Sequence, residues 1–297
     1  MPAGSSSNRV SQLALVALFA GLGAALAVAL TTWGMQTFAA HKAASGLAGY
    51  PEAQACNVLG IQIHGQVVGS RSYVPVADMQ PLQNPDGSAT LIAQNYTIAD
   101  EADDLLRNAS RDESIKAILL DIDSGGGSVV SGDELSASIR KVGKPSVVVV
   151  HDVAASTAYL IASAADRIFA SQDSAIGSIG ETASFITQVE KNKKDGLKYE
   201  ILSSGPFKDM YSPDKPITDD ERKLIMRDIQ IGHNNFVELV ALYRHQPVEA
   251  IEKLADGSTM LGRAALASGL IDEIGGMWEA LDYLEKQIGE PVSICWQ

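Results

Sequence analysis

A chain of 297 residues with 46% hydrophobic side chains can build a sizeable core in one or two domains. Its formal net charge of -13 argues against nucleic acid as the main partner, because phosphate binding needs a basic face. Two cysteines far apart in sequence, Cys56 and Cys295, and five scattered histidines supply no metal-ligand spacing.

The first element is an uncharged run, residues 13–33, "LALVALFAGLGAALAVALTTW". About 20 apolar residues span a bilayer as a helix, whereas the apolar core of a cleaved signal peptide is roughly 7–15 residues long. The run is therefore expected to be a single uncleaved anchor. Small residues in "QTFAAHKAA" leave a cleavage site open. Arg9 ahead of the span leans toward a cytoplasmic tail, residues 1–12, with the rest of the chain outside the cytoplasm. Residues 34–55 read as a linker and 56–297 as one domain.

"NVLGIQIHG", 57–65, alternates as a strand does. Residues 66–95, broken by Pro75, Pro81 and Pro85, predict a long loop or β-arm. Thr97 and Asp100 suggest a capping box for a helix with Ile98, Ala102, Leu105 and Leu106 on its apolar face. "IKAILLDID", 115–123, and "PSVVVVH", 145–151, have the continuous apolar character of strands buried on both faces. A helix carrying Leu135, Ile139 and Val142 lies between them. After Ser156 come a short helix, the strand "RIFA" and the turn "AIGSIG". Thr218 and Glu221 open a long helix with the stripe Ile225, Ile229, Phe236, Leu239 and Tyr243, and a last helix carries Met277, Leu281, Leu284 and Ile288. "PVSICW" is a closing strand, in whose apolar alternation Cys295 reads as a small buried hydrophobe. Two free thiols are expected. Alternating strands and helices indicate α/β with a largely parallel sheet.

Parallel sheets place ligands at the carboxyl ends of their strands. Two such ends are unusual here, "DSGGG" after 115–123 and "DVAAS" before the short helix. A serine at a helix start lies near unpaired N–H groups and the positive dipole end, a suitable place for a nucleophile whose attack creates an oxyanion. Glycines in the neighbouring turn let backbone approach and donate. The same serine would serve equally as a helix cap, and the glycines as a tight turn. A nucleophilic serine needs a base. His151, next to Asp152, is one choice. Lys208, in "SSGPFKDMYSP", is another, provided it is neutral.

The motifs "DVAASTAYLIASAAD", "AIGSIG", "SSGPFKDMYSP" and "MLGRAALASGLIDEIGG" occur in this order, and over roughly 57–290 the chain resembles the signal peptide peptidase A family. This is the S49 class of Ser/Lys serine peptidases, with a ClpP/crotonase-like fold of repeated β-β-α units. The resemblance implies Ser156 as nucleophile, Lys208 as base and Ser178 as its support. It implies Gly126 as one oxyanion donor, with Thr157, beside the nucleophile, as the other. It further implies peptide substrates, either cleaved signal peptides or unfolded segments. It implies a membrane-bound, ring-like homo-oligomer in which Lys208 can come from a neighbour, and no metal or cofactor. Two departures stand beside the oxyanion hole. Gly125 replaces a proline of "NSPGG", and Thr157 and Ala158 replace glycines of "ASGGY". They leave open a scaffold of the same fold without turnover, alongside a crotonase-fold acyl-CoA enzyme.

Overall fold

The computed structural model describes residues 56–83, 89–93 and 95–297. Among these no helix is long and apolar enough to cross a membrane. The expected anchor at 13–33, the tail before it and the linker after it all lie outside the described residues.

In chain order, β1 (Val58–Val68) leads into an antiparallel hairpin of β2 (Met79–Gln83) and β3 (Ala89–Ala93), then β4 (Tyr96–Ile98) and α1 (Ala99–Arg111). β5 (Ala117–Gly127), α2 (Val129–Lys141), β6 (Ser146–Ala155) and α3 (Thr157–Ser163) follow. β7 (Arg167–Ala170), β8 (Ala175–Gly177) and α4 (Val189–Lys194) precede α5 (Asp219–Tyr243), α6 (Val248–Glu252) and β9 (Thr259–Leu261). The chain closes with α7 (Gly262–Ala267), β10 (Glu273–Ile274), α8 (Met277–Ile288) and β11 (Ile294–Trp296).

The main sheet runs β10-β7-β6-β5-β1-β11, and every pair along it is parallel. The apolar runs of β5 and β6 sit at its centre, buried on both faces. One face packs against α1, α2, α3 and α5 through Leu106, Leu135, Leu160 and Val240. The other is covered by α8 through Ala280 and Leu284. Fully burying a side chain such as Leu284 stabilises the fold by about 1.5–3 kcal/mol. The β-β part of the expected β-β-α repeat takes the form of long bent strands. Register shifts occur between His64 and Gln66 of β1 and between Ile122 and Ser124 of β5. Beyond them β1 pairs with β4, while the last residues of β6 pair with β8.

Three expectations are corrected. "SGGG" is no turn, since β5 continues through it to Gly127. Thr97 is no cap. Its Oγ1 donates to the His64 carbonyl at 2.9 Å, and α1 begins after Ile98 without a side-chain cap. Cys56 and Cys295 are not free thiols but a disulfide, with Cα atoms 5.5 Å apart. Pairing of β1 with β11 puts Cys295 opposite Leu59, so the residue just before the first strand meets the last strand.

Candidate active site

β6 and β8 place two serines together. Ala155 pairs with Gly177 across the parallel strands, so Ser156 and Ser178 follow the same rung. The Ser156 N–H donates to the Gly177 carbonyl at 2.8 Å. Both serines have positive φ, 53° and 51°, in a region that non-glycine residues rarely occupy. Ser156 heads α3, yet its side chain caps nothing. The helix-cap reading therefore fails, and the hydroxyl is left without that task. Ser178 Oγ donates to the Gly257 carbonyl at 3.0 Å, and an acceptor lone pair remains available.

The two serines share a cavity of about 550 Å³, whose walls include Gly125, Glu181 and Asp256 as well as Ile229, Gln230 and His233 of α5. Ile229 thus faces the cavity instead of extending the core stripe.

Gly126 lies directly against the serine. With φ of 105°, a Cβ there would sit 2.8 Å from the Ala155 carbonyl and 2.9 Å from Ser156 Cβ. Its N–H already donates to Ser124 Oγ at 3.1 Å, and Ser124 donates on to the Gly65 carbonyl at 2.5 Å. The Thr157 N–H belongs to the first turn of α3, where no intrahelical acceptor exists. The Thr157 side chain is buried, with its hydroxyl donating to the Gly127 carbonyl at 3.2 Å. Its methyl lies 2.9 Å from where a Cβ on Gly132 would be, so glycine in α2 makes room for the threonine.

Neither expected base reaches this cavity within the chain. His151 is exposed, with Nε2 2.6 Å from Asp121 Oδ1 rather than against Asp152. It shares the strand face of Val147 and Val149, the side packed by α8. Lys208 is exposed in the segment 181–217 and is not among the lining residues. That segment also bears Ile186, Leu197, Leu202, Phe207 and Tyr211, all exposed. Lys215, seven residues on, is committed elsewhere. It donates to Glu221 and lies 3.7 Å from Asp209, and the Glu221 bond holds its ammonium pKa above the ordinary range.

Glu181 and His233 escaped the sequence reading, because a single carboxylate after "GSIG" and a histidine inside a helix carry no spacing signal. Burial, then the nearby Asp133 and Asp228, raise the Glu181 pKa, and His233 opposes the rise. Glu181 Oε2 is buried without a hydrogen-bond partner. Asp256 differs, for Ser258 donates to it from Oγ at 2.6 Å and from N at 2.9 Å, and these bonds lower its pKa.

Residues 138–289 match the model of peptidase family S49, and residues 92–176 match the Clp protease model. A protein of Methanocaldococcus jannaschii named as a candidate protease is 34% identical over 61% of this chain and 59% of its own length. A candidate signal peptide peptidase of Enterococcus faecium is 33% identical over 61% of this chain and 54% of its own. Protease 4 of Haemophilus influenzae is 33% identical over 63% of this chain and 31% of its own. The chain thus spans less than two thirds of these relatives. A ClpP1 mutant of Listeria monocytogenes aligns with a TM-score of 0.44 at 17% identity, over 74% of this chain and 93% of that one.

Proposed function

The chain belongs to peptidase family S49, and from that premise we propose that it is a membrane-anchored serine endopeptidase acting through Ser156 and Lys208. The observation that carries this reading is the serine at the head of α3. It is strained at φ 53°, caps nothing, and opens into a cavity beside Ser178. Strain of this kind persists where the surrounding structure enforces it, often at functional sites.

Ser156 Oγ attacks the peptide carbonyl. Neutral Lys208 takes the hydroxyl proton and later passes one to the leaving amine. Ser178, with its hydrogen held by the Gly257 carbonyl, accepts from the lysine and orients it. The Thr157 N–H faces the developing oxyanion, and the Gly126 N–H joins it by exchanging Ser124 Oγ for substrate. One such donor is typically worth about 3–4 kcal/mol in the transition state. The exposed position of Lys208 on an apolar segment supports a lysine delivered by a neighbouring protomer of a ring-like homo-oligomer. Substrates are cleaved signal peptides or short unfolded segments. Residues 13–33 anchor the chain, with the peptidase domain outside the cytoplasm. The Cys56–Cys295 disulfide agrees with an oxidising compartment.

One observation favours the alternative of a scaffold without turnover: the Gly126 N–H is already committed to Ser124. A fluorophosphonate probe separates the two. Labelling that is lost in Ser156→Ala supports the peptidase, and an unlabelled wild type supports the scaffold. For the dyad, Ser156→Ala and Lys208→Ala should each abolish peptide cleavage, with the double variant no worse. Oligomers mixed from the two single variants should regain partial activity if the lysine acts across protomers. Full turnover by Lys208→Ala would remove it as base and direct attention to His233.

A further inference from the structure

The carboxylate of Glu181 is a polar group in the cavity for which the proposed chemistry has no use. It lines the same cavity as Ser156, two residues beyond Ile179 and three beyond Ser178. Its Oε2 is shielded from solvent, yet accepts no hydrogen bond. Leaving a carboxylate oxygen buried and unsatisfied is costly. The other carboxylate of the wall, Asp256, is satisfied by Ser258. Gly232 of α5 makes the arrangement sterically possible, because a Cβ at that position would fall 1.5 Å from Glu181 Oε2. The titratable groups whose charges act on Glu181 are Asp133, Asp228 and His233. Two of the three are carboxylates, so the surroundings favour an incoming cation.

We propose that this cavity receives the substrate side chain next to the scissile bond, and that Glu181 makes it select lysine or arginine there. The assignment rests on the peptidase reading, since Ser156 fixes which bond is cut. A basic side chain would give Glu181 Oε2 a charge-assisted donor, and the aliphatic stem would pack against Ile229. The remaining wall, with Gly125, Gly180 and Gly257, leaves room for a long side chain.

The test uses the full-length chain and peptides that differ only in lysine, leucine or glutamate at the residue before the cleaved bond. Wild type should cleave the lysine peptide with the highest kcat/KM and the glutamate peptide with the lowest. Glu181→Gln should lower kcat/KM for the lysine peptide about tenfold, equivalent to about 1.4 kcal/mol, and leave the leucine peptide unchanged. The leucine peptide thereby also reports that the variant folds. Gly232→Ala, in which the new methyl displaces the carboxylate from a helix that tolerates alanine well, should give the same pattern. A wild type that favours leucine over lysine, or a lysine-to-leucine ratio unmoved by Glu181→Gln, overturns the assignment alone. An equal loss on all peptides also overturns it, because a carboxylate that merely held the catalytic lysine would slow every substrate alike. No cleavage of any peptide, together with no fluorophosphonate labelling of Ser156, overturns the peptidase reading and this assignment with it.

Discussion

Ser156 and Ser178 leave adjacent parallel strands on the same rung, immediately after the paired Ala155 and Gly177, and both take a left-handed φ. Each β-carbon is thus forced into a conformation that glycine would adopt freely, at a cost of order 1–3 kcal/mol. Ser156→Gly should therefore melt at least as high as wild type, with the relief of strain outweighing the added freedom of the unfolded chain, even though the proposed mechanism makes it inactive. Ser156→Ala keeps the Cβ and should not gain. Thermal unfolding of the three proteins decides it; a Ser156→Gly midpoint clearly below that of Ser156→Ala would mean that the turn is not strained.

Three consecutive glycines of β5 should respond differently to alanine. At Gly125 a Cβ meets nothing within 4 Å, so Gly125→Ala should be neutral or stabilise by up to about 1 kcal/mol. At Gly126 the φ of 105° and the approach to Ala155 and Ser156 make alanine destabilising and inactivating. At Gly127 a Cβ would lie 2.0 Å from the Val67 carbonyl, forcing β1 and β5 apart. Denaturant midpoints should rank Gly125→Ala above both others. An equal response at all three positions would contradict this packing.

A pH effect follows from the start of α5. Lys215 donates to Glu221, which also accepts from the Thr218 N–H at 2.8 Å, and these bonds hold the Glu221 pKa below its ordinary value. A depressed carboxylate contributes stability that is fully present above the unfolded pKa and is lost as pH falls through the lower, folded one. Wild type should therefore lose stability more steeply on acidification than Glu221→Gln. Parallel acid-unfolding curves for the two would show that the pair contributes nothing. At alkaline pH the raised Lys215 pKa works the other way, and stability falls only as pH rises through the folded lysine value.

Under the proposed mechanism the rate should also rise with pH, because a lysine base takes up a proton only when neutral. Cleavage of an unstructured peptide should climb from mildly acidic to alkaline pH where chemistry limits the rate. A flat profile under that condition would exclude a lysine base.

The disulfide should be measurable as such. Alkylation of denatured, unreduced protein should find no free thiol, and reduction should lower stability by about 2–4 kcal/mol. Two alkylated cysteines would restore the expectation of free thiols.

The central sheet was legible in the sequence because β5 and β6 are apolar on both faces, a pattern set by burial alone. The end of β5 was not, because "SGGG" is compatible with a turn, and only its pairing with Gln66 and Val67 across a register shift keeps it in the sheet. Ser156 and Ser178 were found by their motifs. Their common rung depends on β8 returning to β6, a non-local pairing that no local pattern announces. Cys295 was misjudged for the same reason: its apolar neighbours are local, whereas its partner lies 239 residues away. Glu181 became visible only once Gly232 was packed against it.

The bond between Cys56 and Cys295 makes the intervening chain a closed covalent loop. A single nick by a protease in the exposed 196–204 stretch would then release no fragment. The clipped molecule should migrate as one band in non-reducing electrophoresis and split into two only after thiol treatment. A preparation judged intact on a non-reducing gel could thus already be cut in the segment that carries Lys208.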